Sequence, residues 1–182
     1  MRRVLAAVLA CVASGLARAD AQVLICYNYA CLAEAQVSYA REQLRELREM
    51  LRPALNAEQE RAVLAQVMGR LYAWAGEQTP VWRDRAGDYL DEYGDGRMDC
   101  IDHALSSSRL LDMLEQARLL RFHRPVGVAR RMRFGVAQHF SALVEESGSG
   151  VEYVVDSWFV DNGQPAVVMP LELWLNGGGP DV

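Results

Sequence analysis

The chain has 182 residues, enough for one domain with an ordinary core, and its formal net charge is −5. That acidic balance argues against a nucleic-acid partner. After the first residues, no apolar run is long enough to cross a bilayer.

The first 19 residues read as a secretory signal peptide: "MRR" is a basic start, "VLAAVLACVASGLA" is a short apolar run, and "ARA" is a small-residue cleavage site before Asp20. Cleavage near Ala19 takes Arg2, Arg3 and Arg18 away with no acid, so the net charge moves from −5 to −8. The expected location is periplasmic or secreted. Three cysteines then remain, Cys26, Cys31 and Cys100, in an oxidising compartment. "CYNYAC" holds Cys26 and Cys31 in one local loop, so they are expected to pair as a disulfide. Cys100 is left over, as a free reactive thiol, a buried inert thiol or a member of a different pairing.

Residues 20–55 form an N-terminal segment, expected to make one globular unit with residues 56–182. In it, "AQVSYAREQLRELREML" carries Val37, Ala40, Leu44, Leu47 and Leu51 at three- and four-residue steps. This spacing predicts an amphipathic helix ended by Pro53. A second helix follows, with Asn56 as its cap, Gln59 at the capping-box position and Leu64, Val67, Met68, Leu71 and Tyr72 as its inner stripe. Gly76 and Pro80 stop it. Residues 77–98, rich in Gly, Pro and Asp, read as an irregular loop that is functional or holds a short helix. A third helix is predicted from about Asp99 to Leu119, with Ala104, Leu105, Ser108, Leu111 and Leu114 on one side.

Beyond it the period changes to strands. "RFHRPVGVARR", "RFGVAQHFSALVEES" and "VEYVVDSWFVDNG" alternate and are rich in β-branched and aromatic residues, and "SGSG" reads as a hairpin turn. "PLELWL" reads as a short helix opened by Pro170. Helices first and antiparallel strands after predict an α+β fold.

Within "DGRMDCIDHAL", Asp99 is placed to cap the third helix, with Cys100 at its first position and Asp102 at the third. The partial positive charge of a helix N-terminus favours thiolate, so the Cys100 pKa is expected to fall, and its N–H groups can stabilise an oxyanion. The two acids oppose that shift. His103 lies one turn on. His123, among basic residues, reads as a solvated surface group. A two-residue turn, Gly148-Ser149, or a four-residue one, Ser147 to Gly150, sets His139 opposite Trp158 and Ser141 opposite Asp156. Asp156 is then diagonal to His139 on one sheet face, able to fix its tautomer and orientation. An odd loop would break this parity. Trp158 would shield the pair from water or simply pack in the core.

"MDCIDHAL" resembles the "DCxDYA" nucleophile motif of bacterial transglutaminase-like cysteine peptidases. "QHFSALV" resembles their histidine strand and "YVVDSW" their aspartate strand, in the same order, over about residues 56 to 160. With "CYNYAC" in front and "VVDSWFVDNG" behind, the pattern is similar to a subgroup of exported bacterial proteins. The resemblance implies a papain-like core, with helices packed against an antiparallel sheet. It also implies Cys100 as nucleophile, His139 as base and Asp156 as orienting acid. The best-studied members of this superfamily are calcium-dependent periplasmic proteases. Asp99 and Asp102 match their acids and are weak calcium candidates, but Ile101 stands where they carry another and His103 where they carry tyrosine, so calcium is doubtful and no cofactor is expected. Gln78 and Trp82 are the candidates for an oxyanion side chain.

The expected function is an exported thiol hydrolase or acyl transferase acting on a peptide or protein substrate, with no nucleic-acid partner and no membrane span. Two alternatives stand beside it. One is a transglutaminase-like scaffold or binding module without activity. The other is a metal site using Cys100, His103, His139 and Asp156, since Cys-x-x-His is half a zinc motif.

Overall fold

The computed structural model describes residues 19–87, 94–133 and 137–180. The signal-peptide reading of residues 1–18, and part of the expected loop at 88–93, lie outside them. The element order is β1 (Ala19–Tyr27), β2 (Ala33–Ala40), α1 (Arg41–Leu51), α2 (Ala57–Gly76), a 3₁₀ turn (Pro80–Arg83), α3 (Cys100–Gln116), β3 (His123–Arg133), β4 (Ala137–Glu146), β5 (Glu152–Asp156), β6 (Val167–Pro170) and α4 (Leu171–Leu175). The strands form an antiparallel β1-β2 ribbon and a four-stranded antiparallel sheet ordered β3-β4-β5-β6. Helices and antiparallel sheets together make an α+β fold. No described helix is long and apolar enough to cross a membrane.

The first half departs from the periodicity reading. Residues 33–40 are a strand, and the helix starts only at Arg41. Val37 and Tyr39 are buried while Gln36 and Ser38 are not, an alternation of period two. Val37 and Ala40 also fit helical steps to Leu44, but the β1-β2 pairing overrides that signal. Its register runs from Tyr27↔Ala33 outward, closed by the Cys26–Cys31 loop. Arg109 of α3 holds the ribbon by donating to the Leu24 carbonyl and to Glu34, and the Ser106 hydroxyl accepts the Cys26 N–H.

The central helices follow the sequence more closely. Asn56 caps α2 by accepting the Gln59 N–H, while the Gln59 side chain reaches Leu55 N rather than the cap residue. Leu64, Val67, Met68, Leu71 and Tyr72 are buried as expected. They share one core with Leu47 and Leu51 of α1, Leu110, Leu111 and Leu114 of α3, Ile25 and Val37 of the ribbon, and Ala142, Val144 and Val155 of the sheet. Each such large side chain contributes about 1.5–3 kcal/mol by leaving water. On α3 the buried arc is broader than the expected stripe: Ser107 and Leu110 are buried, whereas Leu105 and Ser108 are only half-buried.

The β4-β5 hairpin has the four-residue loop, with Glu145↔Glu152 and Ala142↔Val155 in register. This is the even-loop parity that places Ser141 across from Asp156. A last strand, β6, was not foreseen. Pro170 ends it and opens α4.

Candidate active site

The turn that presents Cys100 is built from carboxylates. Asp99 caps α3, its side chain accepting the N–H groups of Ile101 and Asp102 at 3.0 and 2.9 Å. Asp102 reaches back to the Asp99 N–H at 3.1 Å, completing the expected capping box. The same two side chains reach across the molecule. Asn28, Tyr29, Ala30 and Cys31 all have φ between 50 and 67°, a left-handed run that turns successive N–H groups to one side. Tyr29 N and Cys31 N donate to Asp102 at 2.8 and 2.6 Å, and Ala30 N donates to Asp99 at 2.9 Å. The Cys26–Cys31 disulfide closes this loop. Asp99 and Asp102, the two calcium candidates, are therefore engaged in binding a loop. Burial and the Asp99 charge push the Asp102 carboxyl up to about 6, against these N–H donors.

The segment before Cys100 is held as firmly. Asn28 accepts the Gly96 N–H and donates its own to the Arg97 carbonyl. Gly96 has φ +90°, and a Cβ there would strike the Pro80 carbonyl. Asp84, fully buried, accepts the Met98 N–H at 2.9 Å.

Cys100 is a free, half-buried thiol. Its Sγ lies 4.0 Å from the Gln138 carbonyl oxygen and faces the Phe140 N–H, the two residues that flank His139 on β4. Burial, then the Asp99 and Asp156 charges, pushes the thiol up to about 11, although the Phe140 N–H pulls it down. The expected lowering does not occur within the helix turn itself. Burial of the thiol is the main reason, and the Asp99 and Asp156 carboxylates add to it.

His139 and Asp156 come together. His139 Nε2 lies 2.7 Å from Asp156 Oδ2, both residues almost fully buried. A carboxylate only accepts, so Nε2 carries the proton and the neutral ring's lone pair is on Nδ1. Nδ1 is buried and has no hydrogen-bond partner among the described residues. Asp156 Oδ2 also accepts the indole N–H of Trp174 at 2.9 Å, and Oδ1 faces the Trp158 N–H at 3.3 Å. Trp158, Phe159 and Trp174 surround the imidazole with ring centroids 4.7, 5.4 and 5.5 Å away. Cys100 packs against this aromatic cluster. Arg131 braces it by donating to the Gly178 carbonyl at 2.7 Å and to that of Trp174, its guanidinium 4.5 Å over the Trp174 ring.

The remaining candidates lie elsewhere. Gln78 pairs its amide with both the N–H and the carbonyl of Ser38 and with the Trp74 carbonyl, so it blocks the β2 edge. Trp82 is 54% exposed, with Arg83 stacked on it. The Gln78 amide is thus spent on β2 and helix α2, and no hydrogen bond among the described residues joins Gln78 or Trp82, the two oxyanion candidates, to Cys100 or His139. His103 is buried and turned toward Asp84, 3.0 Å away, and toward Ser157. Cys100, His103, His139 and Asp156 do not gather at metal-ligand spacing. The one such group among the described residues is Cys26, Cys31 and Glu34, whose thiols are spent on the disulfide. The zinc alternative is set aside. His123 is buried, not solvated: its Nδ1 meets Glu60 at 2.9 Å and its Nε2 faces Arg61 at 3.2 Å.

Trp174 went unrecognised from sequence. The signal was a tryptophan on a short apolar helix, which reads as ordinary packing. Comparison of the chain with family models, with curated proteins and with solved structures finds no match.

Proposed function

We propose that the protein is an exported thiol hydrolase or acyl transferase acting on peptide or isopeptide amides, on a papain-like core of the transglutaminase-like kind. One observation carries the reading: a buried imidazole with Nε2 fixed by Asp156 and Nδ1 unpartnered, on the strand segment that Cys100 Sγ touches. The Cys26–Cys31 disulfide is consistent with an oxidising, exported location.

His139 Nδ1 takes the thiol proton, and the Cys100 sulfur attacks the carbonyl carbon. The Asp99 cap engages Ile101 and Asp102, which leaves the Cys100 N–H, at the helix start, to face the oxyanion. The imidazolium then protonates the leaving amine, and water or a second amine resolves the thioester. Asp156, with Trp174 bound to the same oxygen, holds the ring in one tautomer throughout. The thiol's rise to about 11 favours a second reading, a scaffold without activity.

A peptidyl vinyl sulfone separates the two. A site of this kind adds it at Cys100 in the wild type, slowly in His139→Ala and not at all in Cys100→Ala, as read by intact mass. Equal labelling of wild type and His139→Ala supports the scaffold.

A further inference from the structure

One turn along α3 from Cys100, a buried polar chain joins the segments that carry the proposed catalytic groups. His103 Nδ1 lies 2.8 Å from Ser157 Oγ, Ser157 Oγ lies 3.0 Å from Ser107 Oγ, and Ser107 Oγ lies 3.0 Å from the Tyr72 hydroxyl. The Tyr72 hydroxyl donates to the His103 carbonyl. On the other side of the ring, His103 Nε2 lies 3.0 Å from Asp84 Oδ2, an ion-pair contact without hydrogen-bond alignment, and Asp84 Oδ1 holds the Met98 N–H. All five side chains are buried.

We propose that His103 is a positioning residue: as an imidazolium paired with Asp84, it locks Ser157, and through it Asp156, against the turn that presents Cys100. This inference rests on the Cys100–His139–Asp156 reading above.

The hydrogen bonds run one way. Because Tyr72 donates to the His103 carbonyl, it accepts from Ser107, Ser107 accepts from Ser157, and Ser157 accepts from His103 Nδ1. Nε2 lies at ion-pair distance from the Asp84 carboxylate without hydrogen-bond alignment, and that negative charge favours a proton on Nε2 as well. Nδ1 donates to Ser157, and the ring is the charged member of a buried ion pair with Asp84. Burial opposes that charge, but Asp84 first, then Asp156 and Asp102, raise the His103 pKa.

A buried pair of this kind is no economical way to stabilise a core, since apolar residues of the same volume do as well or better. Its placement fits a different role. Ser157 follows Asp156 directly, and Met98 is two residues before Cys100. The chain therefore fixes the spacing between nucleophile and orienting acid, where an error of about 1 Å costs about a hundredfold in rate.

The test is the iodoacetamide alkylation rate of Cys100 at pH 6.5 in the full chain, with thermal stability measured alongside. His103→Gln keeps a donor for Asp84 but not the ring geometry. Ser157→Ala removes one oxygen and leaves the fold least disturbed. Each is expected to slow alkylation about tenfold in the wild-type background, yet less than about twofold when added to Asp156→Ala, because both act through that residue. Wild-type rates in both variants overturn the inference, as does an equal slowing in the Asp156→Ala background. A wild-type rate at pH 6.5 that His139→Ala leaves unchanged is a different result: it removes the triad reading on which this inference depends.

Discussion

Trp174 Nε1 donates to Asp156 Oδ2 at 2.9 Å, the same oxygen that His139 Nε2 meets at 2.7 Å. The indole thus stacks beside the imidazole and anchors its partner at once. Trp174→Phe keeps an aromatic ring and removes only the donor. A hydrogen bond to a charged group contributes about 1.5–3 kcal/mol, so alkylation of Cys100 near neutral pH should slow by about tenfold or more, with the fold retained in circular dichroism. An unchanged rate would mean that Asp156 needs no second donor.

The disulfide loop is expected to matter to stability and to the Cys100 turn together. Closing so short a loop contributes about 2 kcal/mol in the chain-entropy treatment. Cys26→Ser combined with Cys31→Ser should lower the unfolding free energy by about that amount in urea. It should also loosen the left-handed run whose N–H groups bind Asp99 and Asp102. Hydrogen exchange of the backbone amides at positions 29 and 31 in the double variant reads the second effect directly, since intact protection there would separate the loop from its covalent link.

Glu60 gives the fold a predictable acid limb. Its buried carboxylate accepts from Arg121 N, Phe122 N and His123 Nδ1, tying α2 to the start of β3. Arg61 can only donate, so it takes His123 Nε2 as acceptor. Burial pushes the Glu60 carboxyl up, but the His123 and backbone donors outweigh it and hold it below the usual range. The folded pKa is depressed, so the stabilisation is fully present above the unfolded value of about 4.3 and is lost as pH falls through the folded one. Glu60→Gln should cost about 2–4 kcal/mol at pH 7, and the gap to wild type should narrow below about pH 4. A constant gap from pH 7 to 3 would contradict this assignment.

The arrangement of residues around Cys100 and His139 was more legible in the sequence than the first half of the fold. Asp99 and Asp102 around Cys100 announce a capping box by local rules, and the structure has it. The even loop between β4 and β5 fixes strand parity, so the meeting of His139 with Asp156 follows from residue numbers alone. Trp158 leaves the strand after Asp156, yet its ring still packs on His139. What local rules could not carry was pairing set from a distance. The β1-β2 ribbon depends on a loop bound by Asp99 and Asp102, some 70 residues on, and Val37 reads equally well as helix. His123 looked solvated because its neighbours are arginines, but Glu60, from a distant helix, draws it inside. The lowered thiol pKa failed chiefly because the fold buries Cys100, which sequence could not show, and because Asp99 and Asp156 add negative charge beside it.

The pH dependence of Cys100 alkylation by iodoacetamide tests the central claim most directly. The thiol without an imidazolium partner sits up at about 11, so alone it would react appreciably only in strong base. A Cys100–His139 ion pair, fixed by Asp156, predicts a rate that is already high at pH 6 to 7 in the wild type. That limb should disappear in His139→Ala and weaken in Asp156→Ala. A single rise toward pH 11, the same in all three proteins, would contradict the account.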